Sequence, residues 1–208
     1  MKLYSISGLG ADKRVFSYLN LKHEVIHLDW IVPEKDETII EYSKRISNSI
    51  DTSSTYGIIG VSFGGMIAVE ISKQLKPAFT ILISSAETKN ELRFIYKILG
   101  RLRFINFLPK YCFNIPKPIA NYIFGAKNKS LLKAILDDAD LSLTKWSVNQ
   151  ILTWNNETRI DNLIKIGGSK DKLIPQTSTN GTLLIEKGQH FMIVDKADEV
   201  SRLINSKT

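Results

Sequence analysis

The segment Gly60-Val61-Ser62-Phe63-Gly64-Gly65 limits what this chain can fold into more than any other feature. It stands where an apolar run, Gly57-Ile58-Ile59-Gly60-Val61, gives way to residues 64–75, which have helical spacing and stop before Pro77. A serine in G-x-S-x-G at a strand-to-helix turn is held in a strained backbone, and its neighbours must be small because other chain passes too close for a Cβ. Its hydroxyl is exposed at the carboxyl edge of a sheet, above a helix N-terminus that favours negative charge. The plainer reading is a glycine-rich turn with a capping serine. The strand before it and the helix after it favour the first.

The rest of the chain supplies the sheet that such a turn needs. Short apolar, β-branched runs recur at 2–7, 24–29, 56–62, 79–85, 163–167 and 182–186. Several show no alternation, which suits strands buried on both faces of a parallel sheet. Helical periodicity falls between them. Ile39, Ile40, Tyr42, Ile46 and Ile50 mark a helix over 37–50, Phe16 and Leu19 mark a helical segment after the first strand, and Val200, Leu203 and Ile204 mark one over 197–205. Strand alternating with helix predicts an α/β fold, and 208 residues allow one domain. The alternation breaks once, between the fourth and fifth strands. There the chain stays helix-like for too long to be a plain connection, so we expect a helical cap at 87–159 inserted into a core of 1–86 and 160–208.

In the insert, Leu92, Ile95, Leu99 and Leu102 are expected to line one face of a helix and Arg93, Lys97 and Arg101 another. Further helical patches lie at 129–137 and 143–154. The whole chain carries a formal charge of +7, yet residues 89–133 hold ten basic residues, Arg103 among them, against one acid, Glu91, so the remainder is slightly acidic. Any anion preference therefore belongs to the insert. The basic stripe reads first as a solvated helix face, and second as a contact for an anionic ligand or an anionic membrane surface. Charge confined to an insert, with no accompanying binding motif, argues against nucleic acid. The single Cys112 cannot close an intramolecular disulfide, the first residues meet glycine and charge too early for a signal peptide, and no run approaches a membrane span. A cytoplasmic protein is expected.

A nucleophilic Ser62 needs a base and an acid to orient it. After the fifth strand, Gly167-Gly168-Ser169-Lys170-Asp171 puts Asp171 in a turn. After the sixth, Gly188-Gln189-His190-Phe191 puts His190 in a loop. Both follow strand carboxyl ends, the edge where Ser62 emerges. His23 and His27, the other histidines, precede the serine and suit a surface position and a sheet face. Asp161, Asp195 and Asp198 are the alternative acids: the first lies at the amino end of its strand and the others follow the histidine. Ser7-Gly8-Leu9-Gly10-Ala11-Asp12 closes the first strand with a turn that can aim amides at the site, so Leu9 and Phe63 are the candidate oxyanion donors. A ligand-free βα turn is the alternative there.

These four segments, together and in this chain order, resemble the α/β-hydrolase superfamily in its small capped form. The resemblance implies a three-layer fold with a mostly parallel six-stranded sheet, its strands in the spatial order second, first, third, fourth, fifth, sixth. It implies a serine hydrolase acting on a carboxylic ester or related small-molecule acyl substrate, with Ser62, Asp171 and His190 as triad and no metal or organic cofactor. The sequence departs from the family at Ser7, where His-Gly is usual, and at Gly167-Gly168, where the acid turn often begins His-Gly. A non-catalytic binding or regulatory protein on the same fold is the alternative.

Overall fold

The computed structural model describes residues 1–102, 104–178 and 181–208, and Arg103 of the basic insert therefore lies outside the described residues. Six strands form one sheet: β1 (Lys2–Ile6), β2 (Glu24–His27), β3 (Tyr56–Val61), β4 (Phe79–Ile83), β5 (Leu163–Gly168) and β6 (Leu183–Ile185), in the order β2-β1-β3-β4-β5-β6. The order is the expected one. Every pairing is parallel, so the expected mostly parallel sheet is parallel throughout these strands.

Parallel strands covered on both sides need apolar residues on both faces, and successive side chains take opposite ones. Tyr4, Ile58 and Leu82 join one core with Tyr42 and Ile46 of α1 (Ile39–Ser47) and Met66 and Ile67 of α2 (Phe63–Leu75). Their neighbours Leu3, Ile59 and Ile81 join the other, with Val200 and Ile204 of α8 (Ala197–Lys207) and Ile193 of the short α7 (Met192–Asp195). The result is a helix–sheet–helix sandwich. Thr38 and Glu41 start α1 with a capping box, each side chain satisfying the other's free amide. At the end of α2, Lys76 turns left-handed at φ 47° just before Pro77.

Between β4 and β5 lie α3 (Phe94–Leu102), α4 (Lys117–Phe124), α5 (Lys129–Asp138) and α6 (Leu141–Thr153). The two ends of this segment are stitched together at its base. Lys89 N donates to Asn156 O (2.8 Å), Asn156 Nδ2 donates to Glu87 O (2.8 Å) and Ile160 N to Glu87 Oε1 (3.0 Å). Lys165 of β5 also pairs with Glu91.

Three local expectations need correction. The segment with Phe16 and Leu19 contains only a single 3₁₀ turn, Lys13–Val15, started by Asp12 accepting from Arg14 N. The helix after the elbow begins at Phe63, one residue early. The expected face does not form on α3: Leu92 is buried but lies before the helix, and Ile95 and Leu102 are 48% and 63% exposed, because Tyr96 and Gly100 are the residues turned inward against the cavity and α6.

Candidate active site

Backbone geometry at the end of β3 fixes the site. Ser62 takes φ 51° and ψ −122°, a left-handed conformation unfavourable for any residue with a Cβ. The glycines around it are required by space. A Cβ on Gly60 would lie 2.5 Å from Gly64 O, and one on Gly64 would lie 2.1 Å from Ser7 O. Ser62 N donates to Ile83 O (2.9 Å), and Ser85 Oγ donates to Ser62 O (2.6 Å). The strained turn is thus clamped from the neighbouring strand.

The three predicted side chains meet. His190 Nε2 is 2.9 Å from Ser62 Oγ, and His190 Nδ1 is 2.8 and 3.0 Å from the two oxygens of Asp171. Asp171 and His190 are both buried, whereas Ser62 is half-buried. Asp171 Oδ1 also accepts from Leu173 N (2.9 Å) and Ile174 N (3.0 Å), which holds the carboxylate in place. With its acceptors directed at Nδ1, the carboxylate favours the tautomer with a proton there, leaving the Nε2 lone pair to accept from the Ser62 hydroxyl. The alternative acids lie elsewhere in the hydrogen bonding: Asp195, for example, accepts from Lys127 N and Asn128 N.

The β1 turn is adjacent, since a Cβ on Gly8 would lie 3.3 Å from Ser62 Cβ. Phe63 N–H opens α2 and has no partner within the helix. Leu9 lines the same cavity as Ser62 and His190. The turn is braced by a residue that sequence reasoning missed. Trp30 Nε1 donates to Ser7 Oγ (2.9 Å) and Ala11 O (2.8 Å), and Ser7 Oγ donates to Ala11 O (2.8 Å). The Trp30 ring also stacks on Phe63, centroids 5.9 Å apart at 9°. One indole therefore touches the turn before Leu9 and the side chain of Phe63. Trp30 lies between β2 and α1, outside any strand or helix, so no periodicity could have pointed to it.

A cavity of about 260 Å³ opens on Ser62 and His190. Leu9, Met66 and Leu173 line it from the sheet side, and Tyr96, Ile123, Leu132, Ile135, Val148 and Ile151 from the helices between β4 and β5. Among the described residues, its oxygen- or nitrogen-bearing side chains are Ser62, Tyr96 and His190. Tyr96 donates its hydroxyl to Leu173 O (3.1 Å), and burial raises its pKa, so it remains a neutral wall residue. The cavity can therefore receive an apolar group and offer it one reactive pair. Among the described residues no His, Cys, Asp and Glu cluster could hold a metal ion.

No protein-family model matches the chain, and no curated protein matches it. Solved structures do. A lipase-esterase related protein from Clostridium acetobutylicum is 17% identical, with 100% of this chain and 94% of that one covered and a TM-score of 0.70. A thioesterase of the prodiginine biosynthetic pathway in Streptomyces coelicolor, RedJ, is 13% identical over 100% and 90%, with a TM-score of 0.71. A hydrolase from Pseudomonas aeruginosa is 14% identical over 99% and 89%, with a TM-score of 0.72. At these identities the likeness is one of fold.

Proposed function

We propose that this chain, whose fold is that of the α/β-hydrolases, is a serine hydrolase cleaving a carboxylic ester or related acyl compound. The observation that carries the reading is the continuous line from Ser62 Oγ through His190 to Asp171 at the mouth of an apolar cavity. His190 takes the proton as Ser62 attacks the carbonyl, and Asp171 stabilises the imidazolium that forms. The amides of Leu9 and Phe63 hold the tetrahedral oxyanion, with Trp30 bracing the turn that carries the first. His190 then protonates the leaving group, and water repeats the cycle on the acyl-enzyme, releasing the acid and restoring Ser62. None of these steps calls for a metal or cofactor.

On this reading residues 87–159 are a cap. Its apolar lining surrounds the acyl chain rather than the reacting carbonyl and selects an acyl group that is largely apolar and of moderate length. The solved structures named as esterases and thioesterases supply the reaction class by analogy. A fluorophosphonate probe should form an adduct at Ser62, and a series of p-nitrophenyl esters of increasing chain length should be turned over by the wild type. Ser62→Ala should lose at least about a thousandfold in kcat. An unlabelled Ser62 in folded protein that turns over none of the esters would overturn the proposal in favour of a non-catalytic binding protein on the same fold, and turnover that survives the substitution would overturn Ser62 as the nucleophile.

A further inference from the structure

Residues 92–136 contain no Asp or Glu. Within this stretch, α3 divides into three faces at 100° per residue. Tyr96 and Gly100 turn inward, beside the buried Leu92 that precedes the helix, and a Cβ on Gly100 would lie 2.0 Å from Leu152 O of α6. Lys97 and Arg101 follow along one edge, with Arg93 just before the first turn. Phe94, Ile95, Ile98 and Leu102 make up the remaining, outward face, where Phe94 is 72% exposed. The 3₁₀ turns Phe104–Phe107 and Lys110–Phe113 pack on the same α6, adding Phe107 at 88% and Tyr111 at 72% exposure. Among the described residues, Arg93, Lys97, Arg101 and Lys110 have no carboxylate within ion-pair distance, while Lys89 and Lys117 elsewhere in the basic stretch are paired with Glu157 and Asp137.

An apolar face this exposed is unfavourable in water, and four unpaired cations along it repel one another and any basic partner. We propose that this face docks on an anionic lipid bilayer surface. The apolar side chains enter the boundary between headgroups and acyl chains while the basic edge stays among the headgroup phosphates, the arrangement of an interfacial amphipathic helix. Charge complementarity selects an anionic surface. The prominence of the side chains selects a fluid one, since residues exposed to 72% and 88% stand out from the protein and can sink into a deformable boundary. The contact is peripheral: α3 has nine residues, and among the described residues no helix is long and apolar enough to cross a membrane. The proposal needs no turnover at Ser62 and so stands apart from the hydrolase reading.

Co-sedimentation with vesicles tests it directly. Full-length protein should partition onto vesicles of phosphatidylcholine mixed with phosphatidylglycerol at least about tenfold more than onto phosphatidylcholine alone, and salt should weaken the binding. Phe94→Ser combined with Leu102→Ser, and separately Lys97→Glu combined with Arg101→Glu, should each lower binding about tenfold or more. Both pairs should leave the melting temperature nearly unchanged, because Phe94, Arg101 and Leu102 are exposed and the half-buried Lys97 makes only an exposed hydrogen bond to Asn90. Absence of binding to the anionic vesicles overturns the proposal. So does loss on charge reversal with none in the serine variant, which would mark simple adsorption of a basic surface, and so does equal binding to poly-glutamate that ignores the serine substitutions, which would mark an acidic protein partner.

Discussion

Trp30 tests how closely the turn proposed to hold the oxyanion must itself be held. Its indole N–H reaches two acceptors on that turn, and its ring lies flat on Phe63. In this sequence Ser7 occupies the position where the resemblance places a histidine, and Trp30 and Ser7 together tie the turn to Ala11. Trp30→Phe keeps the stacking and removes the hydrogen bonds. Acting through the turn, it should lower kcat about tenfold to a hundredfold with KM nearly unchanged, and weaken an oxyanion-mimicking boronic acid in parallel. A purely structural role would move the melting temperature and leave the ratio of boronic acid to substrate affinity alone. The three side chains brought together at the cavity were legible because each follows the end of a buried strand, where the sequence marks its own turn with glycine. Trp30 and Ser85 were not, because each acts from an irregular segment on a neighbour remote in sequence.

The same distinction holds for whole elements. Strand β3 is an unbroken apolar run, and β1, β4 and β5 place apolar residues on both faces with few polar ones among them, a pattern that suits burial on both sides of the sheet. Helix α3 was expected, but it begins at Phe94, after Leu92 and Arg93, and its inward face differs from the expected one. Its hydrophobic residues cover more than half of the circumference, and the decision fell to Gly100, whose missing Cβ lets Leu152 O of α6 approach. Strand β2 is an edge strand paired only with β1, and it carries a consequence for pH. His27 lies half-buried against Ser5, 3.0 Å from its hydroxyl, and burial holds its pKa below the usual value, outweighing the pull of Asp29 and Asp12. His23 is shifted the same way, also first by burial. The unfolded chain then binds more protons than the folded one just below about pH 6.5, so this contribution to stability is present above that pH and is lost as the pH falls through it. Urea unfolding of the wild type should show a midpoint that declines across this window, and in His27→Gln the decline should be shallower. A decline of the same slope in both proteins would remove His27 as its source.

At the scale of the molecule, the question is whether the helices between β4 and β5 form a unit of their own. Their packing says they do not. Trp146 and Ile151 of α6 pack into the core that α1 and α2 share with the sheet, and Tyr42 meets Trp146 with ring centroids 4.5 Å apart. At the end of α6, the buried Trp154 donates its indole N–H to Glu70 Oε1 of α2 (2.8 Å), whose other oxygen is held by Lys73 at 2.6 Å. Gln150 and Trp146 likewise reach the start of α1: Ile39 N donates to Gln150 Oε1 (2.9 Å), and Trp146 Nε1 donates to Glu37 O (2.9 Å). A segment tied to the body by buried polar contacts as well as apolar ones cannot open without leaving those groups unsatisfied in a dry interior, so it should melt with the sheet. Trp154→Phe removes one such donor and strands part of the Glu70 carboxylate, at a cost of about 1.5–3 kcal/mol, equivalent to several degrees in melting temperature. The expected result is a single transition, shifted downward, that coincides by far-ultraviolet ellipticity and by fluorescence of the two remaining tryptophans. If the substitution instead split the transition, with helical signal lost first, the segment would be an independent folding unit and its shared core with α1 and α2 would contribute little to holding the two together.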